Sequence, residues 1–147
     1  MDSHGFRGSE VLRMIRSMLM VVLAFGLAAG CSTLKLGDRM QDFEDTSRAY
    51  GRAMAWSEYE VAAAFFKSGD QDQTAPNFDH LNQFKVTDYE VRMGSVLENG
   101  MRVRQVVKIS YFRKDNLIVR TISDDQVWEY DEDKSSWVLT TGFPKFK

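Results

Sequence analysis

A chain of 147 residues with 44% hydrophobic side chains, two prolines and no low-complexity tract outside its N-terminal segment has the composition of a packed globule, not of a disordered tether. Its formal net charge of −2 argues against a nucleic-acid function, because phosphate recognition needs a net basic footprint. The single cysteine excludes an internal disulfide.

The first element is apolar. Arg7, Arg13 and Arg16 precede a strongly hydrophobic run from Met18 to Ala29, which has the length of a signal-peptide core and is short of a bilayer span. Asp2 and Glu10 make the first thirteen residues polar for a signal, which leaves Met14 as an alternative start. The run closes on Leu27-Ala28-Ala29-Gly30-Cys31. This stretch resembles a bacterial lipobox. The resemblance implies cleavage between Gly30 and Cys31, lipid attachment to the Cys31 thiol, and, with Ser32 in place of an Asp, export to the periplasmic face of the outer membrane. Thioether formation also accounts for an odd cysteine in an oxidising compartment. Each acyl methylene contributes about 0.8 kcal/mol of membrane affinity, so a multiply acylated terminus holds without a basic patch.

Three segments follow from this reading: a cleaved signal over 1–30, a lipidated tether over 31–39 and one domain over 40–147. Removal of the signal leaves 117 residues with sixteen basic and nineteen acidic side chains, a net charge of −3. That length supports one core.

From Met40 the pattern is helical. Phe43, Ser47, Tyr50, Met54, Val61 and Phe65 recur near the helical period, with a break expected at Gly51 or at Trp56-Ser57-Glu58. Ser57 is placed to cap a second helix. Lys67–Asn77 reads as loop, and a short helix is expected around Phe78–Phe84.

After Lys85 the period changes to two. Tyr89, Val91 and Met93 alternate with charged residues, as do Val103, Val107, Ile109 and Tyr111. A three-residue loop, Glu98-Asn99-Gly100, pairs Leu97 with Met101 and Val91 with Val107, and gives Gly100 the positive φ. A second loop, Lys114-Asp115-Asn116, pairs Tyr111 with Val119 and puts Asn116 in the left-handed region. A third strand runs from Leu117 through Asp124-Asp125 to Tyr130, Asp131–Ser135 turns, and Trp137–Thr141 ends the sheet. The fold class is therefore α+β: N-terminal helices packed on a curved four-stranded antiparallel meander.

This order of elements, with Gln126-Val127-Trp128-Glu129-Tyr130, the acidic turn and Trp137-Val138-Leu139, resembles the NTF2-like (SnoaL-type) cone. Tyr50, Ala55-Trp56-Ser57-Glu58-Tyr59, Val86–Val91 and the terminal Gly142–Phe146 also resemble a group of small proteobacterial lipoproteins. These motifs are structural, and the resemblance implies an apolar cavity without fixing a reaction.

The candidate chemistry is sparse. His80 is the one histidine after the signal and has neither the Cys nor the His neighbours of a zinc site. Asp131-Glu132-Asp133-Lys134-Ser135 opens like a calcium loop, but lacks the central Gly and has Gly142 where a bidentate Glu belongs, so it reads as a solvated hairpin turn. Asp88, Asp124 and Asp125 with Tyr50, Tyr59, Tyr89 or Tyr111 hold the parts for proton transfer in a cone, but Asp88 falls on the outward face and the inward positions are mostly hydrocarbon. The outward face collects Val106, Phe112, Ile118 and Ile122 among Arg92, Arg102, Arg104, Lys108 and Arg120. An apolar centre with a basic rim suggests a contact surface, with Arg104, Val106, Lys108, Phe112 and Ile118 as its interface residues. The alternative is that Phe143-Pro144-Lys145-Phe146 covers it.

The sequence thus leads to a lipid-anchored, non-enzymatic domain that binds a protein partner or assists assembly at the outer membrane. The alternative is a carrier or sensor of a small apolar ligand, in a cavity lined by Tyr50, Met54, Tyr89, Val91 and Ile109. An isomerase- or cyclase-like enzyme is the third reading. The expected partners are the membrane through the lipid and a second copy or a periplasmic protein; no nucleic acid, metal or cofactor is expected.

Overall fold

One continuous helix of 27 residues from Gly30 was not expected. The structure, a computed structural model, describes residues 30–67 and 76–147, the side chains of 30–34 excepted. The expected signal peptide up to Ala29 and the side chain of Cys31 lie outside the described residues. Helix α1 runs from Gly30 to Trp56 and includes the residues expected as the tether. Leu34, Lys35, Leu36 and Arg39 are strong helix formers and no proline interrupts them. The chain divides between Asp38 and Arg39, and the second unit, Arg39–Lys147, carries the sheet.

Gly51 does not break α1. The helix ends at the second expected position, where the Ser57 N–H donates to the Met54 carbonyl (2.9 Å) and the Glu58 N–H to the Ala53 carbonyl (2.8 Å). These two bonds form a Schellman motif with Ser57 at φ 60°. The expectation that Ser57 caps the next helix is corrected. Its hydroxyl accepts instead from the Val86 N–H (3.0 Å), tying the end of α1 to the sheet, while α2 (Tyr59–Ala63) starts without a side-chain cap. Helix α3 (Phe78–Leu81) is capped by Asn77, whose side chain accepts from the His80 N–H at 3.0 Å.

Four antiparallel strands follow, β1 (Phe84–Leu97), β2 (Arg102–Arg113), β3 (Val119–Asp131) and β4 (Ser136–Leu139), in the spatial order β1-β2-β3-β4. This is the α+β meander expected from the alternating pattern, with helices packed on a four-stranded antiparallel sheet. Val91 pairs with Val107 as the alternation requires, but Leu97 pairs with Arg102 rather than Met101. The loop is one residue longer than expected, and a bulge between Val91 and Met93 absorbs the difference. Gly100 takes φ 80°, and Glu98 and Asn99 are left-handed as well.

The second hairpin corrects the sequence reading more deeply. Phe112, not Tyr111, pairs with Val119. Leu117 carries the positive φ (54°), because the Asn116 side chain is committed to accepting from the Ile118 N–H at 3.2 Å. One residue of slip exchanges the two faces of β3. Ile122, Asp124, Gln126 and Trp128 therefore face the helices, opposite Ile109, Val107, Gln105 and Val103.

The core lies between that inner face and the helices. Tyr50, Met54, Tyr59, Ile109, Trp128 and Leu139 are fully buried. Aromatic rings meet edge-on through it: Tyr50 packs against Trp128 at 5.5 Å, and Phe43 against Trp137 at 5.1 Å. Phe146 closes one end, 4.6 Å from Tyr111 and 5.5 Å from Phe84. The C-terminal segment thus packs on the inner side and does not cover the outer face.

Candidate functional site: a groove between the long helix and the inner sheet face

Helix α1 turns two adjacent stripes toward the sheet. One carries Tyr50, Ala53 and Met54 into the core, and the other, Phe43, Ser47, Gly51 and Ala55 at four-residue spacing, runs along a groove of about 520 Å³. The facing wall is Tyr89 and Val91 of β1, with Gln105 of β2 behind them. Val91 is 53% exposed although its neighbour across the sheet, Val107, is fully buried. The groove is therefore inner sheet face that no helix covers. Its volume lies within the ordinary range of small-molecule sites.

Gly51 sets the depth of this groove. A Cβ there would lie 2.9 Å from Tyr89 Cε1 and 3.2 Å from Cδ1, so the missing side chain lets the tyrosine ring lie against the helix backbone. An interior helical glycine costs about 1 kcal/mol relative to alanine, and ring packing offsets it here.

A hydrogen-bonded polar array backs the apolar walls. The Tyr89 hydroxyl donates to Gln126 Oε1 (3.1 Å), Gln105 Nε2 donates to the same oxygen (2.7 Å), and Gln126 Nε2 donates to Asp124 Oδ2 (2.8 Å). Gln105 and Gln126 are buried, at 4% and 0% exposure. Burial raises the Asp124 carboxyl above its usual range, the Gln126 bond opposes that shift, and the neighbouring Asp125 charge adds to it. Burial likewise raises Tyr89, with the hydrogen bond to Gln126 opposing the shift. Tyr50, raised by burial first and then by Tyr89 and Asp124, stays a neutral phenol. Its buried hydroxyl has no hydrogen-bond partner among the described residues.

Two of the five expected cavity residues, Tyr89 and Val91, line the groove. Tyr50, Met54 and Ile109 do not; all three are fully buried. They belong to the stripe and strand positions that make the core, so hydrophobic period identified them correctly as inward but not as cavity-forming. Gly51, Gln105 and Gln126 were the residues the sequence did not place, and Asp124 was named only as one of three candidate carboxylates. The close Gly51 spacing to an aromatic-rich strand was the available signal for the first. The slipped register hid the last two.

The expected outward interface is corrected in part. Arg104, Val106, Lys108 and Phe112 share the outer face, but Ile118 sits in the turn before β3 and Ile122 and Arg120 belong to the inner-facing row. The apolar centre is correspondingly smaller. Arg104 is paired with Asp125 at 3.3 Å, and a concavity of about 420 Å³ lies beside Leu97, Arg104 and Val127.

His80 is exposed and stands edge-on to Phe84 at 5.1 Å. Asp131 Oδ1 accepts from the Asp133 and Lys134 N–H groups, which makes the acidic stretch an ordinary side-chain-closed turn. Among the described residues no group of three His, Cys, Asp or Glu side chains is arranged to hold a metal, and no helix is long and apolar enough to cross a membrane.

No family model and no curated protein matches the chain. Among solved structures it is similar to one from Xanthomonas campestris pv. campestris described as a "putative polyketide cyclase", at 12% identity over 72% of this chain and 93% of that one, with a TM-score of 0.47. The expectation that the chain is not an enzyme is withdrawn. It had rested on inward positions being hydrocarbon. Asp124, Gln126 and Gln105 now occupy three of them.

Proposed function

We propose that this chain is a lipid-anchored periplasmic protein of the outer membrane whose domain binds a small, largely apolar molecule in the groove beside α1. The observation that carries the ligand-binding part is the groove itself. Apolar walls from Phe43, Ala55, the Tyr89 ring and Val91 meet a short polar array at Gln105, the combination by which small-molecule sites gain affinity from burial and orientation from a few hydrogen bonds. The anchor rests on the Leu27–Cys31 sequence.

Filling the groove tests the reading. Ala55 is exposed and lines it, so Ala55→Trp places a large ring in the opening without entering the core. Fluorescence of an environment-sensitive naphthalene dye should rise with the unmodified protein and fall severalfold with the variant, at unchanged circular dichroism. Equal dye binding by both would remove the groove from the argument. For the anchor, Cys31→Ala should shift the protein from the membrane pellet to the soluble fraction or leave it unprocessed. Unchanged membrane association would exclude lipidation at Cys31.

Asp124 favours a second reading, proton transfer on an enolisable ligand. A carboxyl raised by burial, on the inner face and linked through Gln126 to a tyrosine of the groove wall, has the tuning that a general base requires. This reading expects Asp124→Asn to bind ligand and fail to exchange its acidic protons with solvent deuterium.

A further inference from the structure

The groove's rim carries charge that its walls do not. Glu44, Arg48 and Arg52 border it on α1, one turn apart from one another. Arg48 is held by Asp45 at 3.4 Å and by Glu44 at 4.0 Å. Arg52 has neither an ion-pair nor a hydrogen-bond partner among the described residues. Two guanidinium groups four residues apart on a helix repel one another, a small cost with no structural return on this face. The chain as a whole is acidic, so an unpaired cation beside its apolar groove is not a reflection of composition.

We infer that the molecule bound in the groove is an apolar monocarboxylate, with its hydrocarbon part against Phe43, Val91 and the Tyr89 ring and its carboxylate at Arg52, within reach of Arg48. The inference rests on the groove reading above and names the ligand class for it. Charge complementarity carries it: Arg48 is engaged by Asp45 and Glu44, whereas Arg52 is a lining cation with no carboxylate partner among the described residues, and that one unpaired positive charge matches a monoanion. A guanidinium offers a carboxylate two parallel N–H donors, which fixes the direction of entry as well as adding attraction. A volume of about 520 Å³ takes one hydrocarbon chain or a few fused rings and is small for a two-chain lipid.

The test compares three probes that share one tail. Dodecanoate, 1-dodecanol and dodecyl phosphate are titrated into the full chain below their aggregation limits and followed by calorimetry. An exposed ion pair is worth up to about 1 kcal/mol, which sets the expected preference for dodecanoate over dodecanol at about fivefold. Arg52→Gln should reduce that ratio toward one, with Arg48→Gln producing a smaller reduction, and added salt should do the same to the unmodified protein. Equal binding of dodecanoate and dodecanol would overturn the carboxylate and leave the groove reading intact. A preference that survives Arg52→Gln would overturn the assignment to Arg52, and tighter binding of dodecyl phosphate would replace carboxylate by phosphate. If none of the three binds, the groove reading fails and this inference falls with it.

Discussion

Replacing Gly51 by alanine sets two effects of similar size against each other, and the contact with Tyr89 decides the sign. In a helix interior the substitution stabilises by about 1 kcal/mol, through reduced backbone entropy in the unfolded chain. Here the new methyl would meet the Tyr89 ring at 2.9, 3.2 and 3.6 Å, so the ring must move by several tenths of an ångström. It has little freedom to do so. Its hydroxyl is tied to Gln126, and the Tyr50 ring stands 6.3 Å away on the core side. Overpacking of this kind costs about 1–3 kcal/mol, and loss of the Tyr89–Gln126 hydrogen bond falls within the same range. The net expectation for Gly51→Ala is a destabilisation of about 1 kcal/mol.

A double-mutant cycle isolates the cause. In a Tyr89→Ala background the ring is gone, and Gly51→Ala should then stabilise by its intrinsic helical amount of about 1 kcal/mol. The coupling between the two sites is therefore about 2 kcal/mol, several times the level at which independent sites fail to add. Urea denaturation of the four proteins measures it. If Gly51→Ala has the same effect in both backgrounds to within about 0.5 kcal/mol, the ring does not rest on the glycine and the account of groove depth is wrong.

Asp124 should make the fold weaken with rising pH. Its native carboxyl is raised above the unfolded value, so its contribution is fully present below the ordinary carboxylate range, about pH 4, and is lost as pH rises through the native value. Melting temperatures from acid to neutral pH should therefore fall for the unmodified protein relative to Asp124→Asn, and a relative rise would contradict the burial argument. Tyr50→Phe should be neutral or stabilising by up to about 2 kcal/mol, because it removes a buried hydroxyl without a partner, whereas Tyr59→Phe should cost about 1 kcal/mol by deleting a bond to the Phe84 carbonyl. The pair, compared in one denaturation series, would refute this reasoning if the two substitutions shifted the midpoint alike.

The fold was legible because its signals are repetitive. Alternation through Tyr89–Met93 and Val103–Tyr111 specified two strands and their shared face, and Trp56-Ser57 marked the end of the long helix. The site was less legible because it depends on single residues that depart from those patterns. Asn116 looked like the left-handed residue of its turn, yet its side chain serves the Ile118 N–H and passes the left-handed position to Leu117. That one-residue error placed Asp124 and Gln126 on the solvent side, so Asp124, though a candidate carboxylate, was not joined to Tyr89 through Gln126. Tyr50 and Met54 were read correctly as inward-facing, but period cannot separate a residue that fills a core from one that borders a space.

What makes the space is a mismatch between the helix and the edge strand. The bulge after Val91 keeps Tyr89 and Val91 on the inner face while turning Met93 to the outer one. Val91 and Val96 are consequently 53% and 56% exposed, although Val107 and Val103, opposite them on the same face, are buried. Uncovered valines on an otherwise packed face gain nothing for folding, since their hydrophobic stabilisation of about 25 cal/mol per Å² requires removal from water. Tyr50, Trp128 and Ile109 are fully buried without help from the groove, so the core does not depend on its being filled. An apolar surface next to a buried amide array and an arginine unpaired among the described residues is accordingly better explained by what it can bind than by what it contributes to the fold.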